Sequence, residues 1–132
     1  MTDPILDATT KRNKSLIATL YAKVYNERDM AVLTDIFADN YVEHSPELEN
    51  GRTALGAFLD KIFGLFPEMG FTLARLVAEG DLVVAHALMR RKPDDRGTAV
   101  VEIFRFSDDK IVERWDITAS VPEETKNGNP MV

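Results

Sequence analysis

From Thr10 to Asn26 the apolar side chains Leu16, Ile17, Leu20, Tyr21 and Val24 fall on one stripe of a helical period. The spacing predicts an amphipathic helix over Thr10–Asn26 with Tyr21 on its buried side. Asp29 is placed to cap a short second helix carrying Val32, Leu33, Ile36 and Phe37, which ends near Asp39 and Asn40. No helical period continues from Tyr41 to Gly51, and Pro46, Asn50 and Gly51 mark that stretch as an extended loop. A third helix is expected from about Thr53, with Leu55, Phe58, Leu59, Ile62, Phe63 and Phe66 along its apolar side and Pro67 as its stop.

After Gly70 the apolar period changes to two. The β-prone runs are Phe71 to Glu79, Leu82 to Arg91, Thr98 to Phe106 and Lys110 to Thr118. The breaks between them, the longest being Lys92 to Gly97, are too short for a parallel crossover, so the runs are expected to form an antiparallel meander. Helices first and strands afterwards in one small chain predict an α+β fold, with three N-terminal helices packed on one face of the sheet.

The last two strands are apolar on both faces: Val100, Phe104 and Phe106 point one way, and Ile103, Ile111, Trp115 and Ile117 are assigned to the other. Helices cover one face only, so a homodimer through the outer face is expected, the alternative being a face covered by the chain's own tail.

The 132 residues suit a single domain spanning 1–132, and 45% apolar residues are enough for a core without a metal or disulfide staple. Sixteen Lys and Arg against 22 Asp and Glu give a net charge of -6, the wrong sign for a nucleic-acid surface. Cysteine is absent, which removes disulfides, thiolate metal sites and a thiol nucleophile, and fits a cytoplasmic protein. The start Met1 to Asp7 has no basic leader, and no run approaches the ~20 apolar residues of a membrane span. Gly-rich phosphate loops, a Gly-x-Ser-x-Gly elbow and metal-ligand histidine spacing do not occur, so no metal and no cofactor is expected.

Polar residues in apolar company are what remain. Glu102 alternates with Val100, Phe104 and Phe106 on an inward face, where a carboxylate is costly unless paired. Its pairing candidate is Arg114. A two-residue loop, Asp108-Asp109, would set Glu102 opposite Trp115; a three-residue loop from Ser107 sets it opposite Arg114 with Asp116 on the diagonal, and this second register is the one expected. His44 lies in the loop after the second helix, between Glu43 and Ser45. His86 sits mid-strand between Ala85 and Ala87, on a face that register decides.

The order of elements and the strings Asn26-Glu27-Arg28-Asp29, Ile36 to His44, Val101 to Phe106 and Lys110 to Asp116 resemble the nuclear transport factor 2-like superfamily, in its SnoaL-like polyketide cyclase branch. The resemblance covers nearly the whole chain. It implies a cone-shaped fold, a strongly curved sheet around three helices enclosing a deep apolar pocket, commonly in a homodimer. Ketosteroid isomerase, of the same fold, uses a carboxylate base and an oxyanion hole made of a Tyr and a protonated acid. Tyr21, five residues before Asn26, matches the oxyanion tyrosine, and Glu102, two before Phe104-Arg105-Phe106, matches the protonated acid. The base position falls at or next to His44. In SnoaL-like cyclases the Trp-Asp string supplies the acid/base, and Asp116 after Trp115 matches it.

The resemblance thus implies that Tyr21, His44, Glu102 and Asp116 converge in one pocket, with Arg114, Phe104, His86 and Phe58 along it. The reading is a cofactor-free cyclase or isomerase acting by acid/base enolate chemistry on a small hydrophobic carbonyl compound. A non-catalytic binder of a small apolar ligand and a dimeric scaffold without pocket chemistry are the alternatives.

Overall fold

The computed structural model describes residues 3–132, so Met1 and Thr2 of the expected domain lie outside the described residues. Helix α1 runs over Pro4–Thr19, starting earlier than the apolar stripe predicts. Asp3 caps it, its carboxylate accepting from the Ile5 N–H at 2.9 Å, and Pro4 needs no partner for a missing donor. Ile5 and Leu6 are exposed, so the first turns carry no buried period to read. From Leu20 to Asn26 the same helix is wound as a π-helix, whose i→i+5 bonds widen the turn that carries Tyr21 and Tyr25. Asn26 then binds the Phe71 backbone in both directions, at 2.9 and 2.8 Å, and fastens the helix end to the sheet.

Helix α2 is the single turn Val32–Ile36. Asp29 does not cap it with its side chain: its carbonyl, not its carboxylate, receives the Val32 N–H at 3.3 Å. The next segment corrects the sequence reading further. Phe37–Glu43 is strand β1, where the helix end and the start of a loop are expected, and it pairs in parallel with the last strand. A bulge between Phe37 and Val42 interrupts the pairing and leaves Asp39 exposed between buried Phe37 and Tyr41, so the alternation is regular only from Tyr41 to Glu43. Helix α3 follows over Arg52–Leu65, burying Leu55, Leu59 and Phe63.

Strands β2 (Gly70–Glu79), β3 (Leu82–Arg90), β4 (Thr98–Ser107) and β5 (Lys110–Ser120) form the expected antiparallel hairpins. With β1 added the sheet is mixed, in the order β1-β5-β4-β3-β2. It is curved but not closed, and the helices fill its concave side. Ile17, Leu20, Val24, Phe37, Val83, Phe104 and Ile111 are buried there. Gly97, at φ 93°, closes the β3–β4 connection against Met89, whose carbonyl would lie 2.7 Å from any added Cβ.

The β4–β5 hairpin corrects the expected register, in which a three-residue loop sets Glu102 opposite Arg114. The loop has two residues, since Ser107 pairs with Lys110, and Asp108 and Asp109 both take positive φ, as a type I′ turn requires. A bulge then inserts Val112: Phe106 pairs with Ile111 and Arg105 with Glu113. The extra residue flips the parity beyond it. Glu102 therefore faces Asp116 directly, Phe104 faces Arg114, and Trp115 goes to the convex face. Ile111, assigned to the outer face, lies instead in the core with no exposed surface.

The convex face keeps Ile103, Trp115, Ile117 and Val77, the last two 69% and 61% exposed. The chain's tail returns to this side, where the Met131 carbonyl lies 3.0 Å from His86 Nε2. Among the described residues no helix is long and apolar enough to cross a membrane.

Candidate active site

Parallel pairing of β1 with β5 sets Glu43 beside Arg114, and the β4–β5 ladder adds Glu102 and Asp116 on the same concave face. Arg114 gathers all three. Its Nη1 donates to both oxygens of Glu43 at 2.9 Å, its Nε to Glu102 Oε2 at 2.8 Å and its Nη2 to Asp116 Oδ2 at 3.3 Å. Tyrosines complete the cluster. Tyr21 donates to Glu102 Oε1 at 2.5 Å, Tyr25 to Oε2 at 3.0 Å, and Tyr41 to Glu43 Oε1 at 2.9 Å. The Ser45 N–H donates to Glu43 Oε2 at 3.0 Å. Tyr21 and Tyr25 reach one carboxylate because they stand four apart on the π-helix, their rings meeting edge to face at 4.8 Å.

Burial acts to lower the Arg114 pKa, but Glu102, Tyr25, Glu43 and Asp116 outweigh it and hold it well above the ordinary arginine value. The three hydroxyls are pushed up above the usual tyrosine range, first by burial and then by the carboxylates they serve. They are donors, locked as such. Glu43 and Glu102 have their oxygens taken by these donors, with side chains 0% and 2% exposed. Asp116 differs: its side chain is 20% exposed and its one partner among the described residues is the 3.3 Å contact from Arg114.

Asp116 and Glu102 stand at the inner end of a cavity of about 330 Å³ between α3 and the concave sheet. Leu55, Phe58, Leu59 and Ile62 wall the helix side, while Thr118 and Ser120 continue the Asp116 row along β5 toward solvent. The volume lies at the low end of ordinary small-molecule sites, which begin at roughly 300 Å³.

Of the residues expected together, Asp116, Glu102, Arg114 and Phe58 line this cavity. Tyr21 lies behind Glu102, and its hydroxyl proton goes to that carboxylate and not into the cavity. The expected pair of donors, Tyr21 with a protonated Glu102, is therefore not what the geometry presents. Phe104 is wholly buried in the core below the cavity. The two histidines are elsewhere. Strand alternation turns Glu43 inward and sends His44 to the convex face, where its ring stacks on Trp115 at 4.7 Å and its Nε2 meets Glu113 at 2.7 Å. His86, opposite in parity to buried Ala85 and Ala87, also faces outward and contacts Arg75 and Met131.

Glu43, Tyr25 and Tyr41 are the site residues that the sequence reading misses. A signal for Tyr25 exists in its i+4 spacing from Tyr21. Glu43 is the neighbour of His44, and the resemblance places the base at or next to His44; only the strand character of β1 tells which of the two points inward.

The family profile for a SnoaL-like domain matches residues 17–114. Among curated proteins none matches the chain. Among solved structures, IdmH of Streptomyces antibioticus, provisionally assigned as a polyketide cyclase, is 25% identical with a TM-score of 0.68, over 80% of this chain and 91% of that one. A protein of Kribbella flavida DSM 17836, provisionally assigned as a ketosteroid isomerase, is 17% identical with a TM-score of 0.73, over 93% and 89%. A Bacillus cereus ATCC 10987 protein, also provisionally a polyketide cyclase, is 18% identical with a TM-score of 0.74, over 88% and 80%. The last two likenesses speak to fold alone. With the profile covering most of the curved sheet and the helices it encloses, the chain belongs to the SnoaL-like domain family.

Proposed function

We propose that the protein is a cofactor-free acid/base enzyme of the cyclase or isomerase type, acting in the cytoplasm on a small hydrophobic carbonyl compound held in the α3–sheet cavity. The observation that carries this reading is the contrast among the three carboxylates. Glu43 and Glu102 are saturated by donors, whereas Asp116 keeps open lone pairs facing the cavity. Asp116 takes a proton from the carbon next to the carbonyl and returns it, or leaves the enolate to attack a second carbonyl in the same molecule. Arg114, fixed by Glu43 and Glu102, holds the Asp116 carboxylate in place. The likeness to IdmH, provisionally a polyketide cyclase, supports the same class of chemistry. The test is deuterium exchange into bound cyclic ketones and β-keto esters: Asp116→Asn is expected to lose exchange while still binding.

A ligand-binding module is the second reading, favoured by the neutralisation of Arg114 within its own cluster. It predicts binding without exchange in the wild type. The open cavity speaks against a scaffold with a filled interior. We further propose a homodimer through the convex face, supported by exposed Ile117 and Val77.

A further inference from the structure

Along the cavity the inward pairs of β4 and β5 succeed one another as Glu102 with Asp116, Val100 with Thr118, and Thr98 with Ser120. From Asp116 to Ser120 is four residues, ~14 Å at the usual strand rise. The inner end has no cation to offer an anionic ligand, because the Arg114 guanidinium already serves Glu43, Glu102 and Asp116. The outer end does. Arg91, just past β3 and two residues from Met89, which pairs with Thr98, lines the same cavity. Its guanidinium rests over the Phe66 ring, 4.8 Å from the centroid, and among the described residues its side chain makes no hydrogen bond or ion pair. The nearby Asp95 carboxylate is occupied by the backbone N–H groups of Arg91 and Gly97, both at 3.2 Å. Glu47 also lines the cavity, with no ion pair to Arg91.

From this arrangement we infer that the cavity is built for an apolar carbonyl compound bearing a carboxylate, which Arg91 holds at the outer end while the carbonyl end lies at Asp116. The inference rests on the acid/base reading for which end goes inward. Electrostatics favour the same direction: a carboxylate carried inward meets Glu102 and Asp116 with their guanidinium taken, and carried outward it meets that of Arg91, unpaired among the described residues. The apolar middle, Leu55, Leu59 and Ile62 against Val100, suits the hydrocarbon between the two ends.

Calorimetric titration with a medium-chain keto acid and with its methyl ester tests this on the full chain. The acid is expected to bind wild type roughly tenfold tighter than the ester, the size of one charge-assisted hydrogen bond at a partly exposed site. Arg91→Gln should remove that preference and leave the ester unchanged, Arg91→Lys should keep most of it, and Glu47→Gln should enlarge it. Equal binding of acid and ester, a preference that survives Arg91→Gln, or binding of neither probe overturns the inference. Proton exchange beside the carbonyl, followed on the same samples, separates the two claims. Exchange without an acid preference leaves the acid/base reading standing alone, and an Arg91-dependent preference without exchange sustains the carboxylate site as that of a binding module.

Discussion

Glu102 and Asp116 face each other directly across β4 and β5, two carboxylates on one face of a sheet, with the Arg114 guanidinium joining them. Like charges placed opposite each other destabilise a sheet, so this arrangement depends on the cation. Removing one partner of a buried ionic cluster typically costs about 3 to 5 kcal/mol, because the remaining charges stay buried without compensation. Arg114→Met is expected to lose stability in that range in urea unfolding at neutral pH. Arg114→Lys should recover only part, since an ammonium cannot fork to three acids. A neutral-pH loss below about 1 kcal/mol would mean that the cluster is not what holds these strands.

All three tyrosines of the chain, Tyr21, Tyr25 and Tyr41, are buried donors to carboxylates, with pKa values raised by burial first. Unfolded, they ionise near pH 10. Below that pH the stability they contribute is complete, and it falls as pH rises above it, since the unfolded chain then holds fewer protons than the folded one. Spectrophotometric titration should show no phenolate until the protein unfolds, and then all three together. A tyrosine that ionises near pH 10 in folded protein contradicts the hydrogen-bonded arrangement.

On the convex face the Glu113 carboxyl is held below its ordinary 4.5, first by the His44 hydrogen bond and also by Arg105, although partial burial acts to raise it. A depressed carboxyl contributes stability above its unfolded value, and that contribution is lost as pH falls through the folded value. Wild type should therefore exceed Glu113→Gln in stability at neutral pH, with the gap closing below pH 4.5. His44→Ala should move the Glu113 midpoint upward in carboxyl NMR. No movement would show that the His44 contact is not made in solution.

The helix faces and strands β3 and β4 are legible because each buries one face at a regular period, while β2 and β5 are marked off by the short turns that join them to these two. β1 is not legible, because a bulge interrupts it and its partner β5 lies more than seventy positions away, so neither local period nor short-loop reasoning finds it. Missing β1 hides Glu43 and makes His44 look available to the site. The β4–β5 register shows another kind of failure. A two-residue loop plus the Val112 bulge places Glu102, Arg114 and Asp116 on the same face as the expected three-residue loop does, but moves Ile111 into the core. Bulges are set by twist and packing across the sheet, which a single strand's sequence does not encode.

Sedimentation at micromolar concentration is expected to give twice the 14.8 kDa chain mass if convex faces pair. Ile117→Asp, which places a charge on this face, should return the monomer. A wild type that sediments as a monomer contradicts pairing through this face and leaves the alternative of the tail at His86 as its cover.

Deuterium exchange beside the carbonyl of a bound cyclic ketone, compared in wild type, Asp116→Asn and Tyr21→Phe, addresses the proton-transfer role most directly. General acid/base groups typically contribute ~100- to 10,000-fold. Asp116→Asn should lose exchange by that factor with binding retained. Tyr21→Phe should slow it only a few-fold, because its hydroxyl serves Glu102 and not the ligand. Exchange in Asp116→Asn equal to that in wild type, or a Tyr21→Phe defect as large as that expected of Asp116→Asn, would contradict the assignment of proton transfer to Asp116.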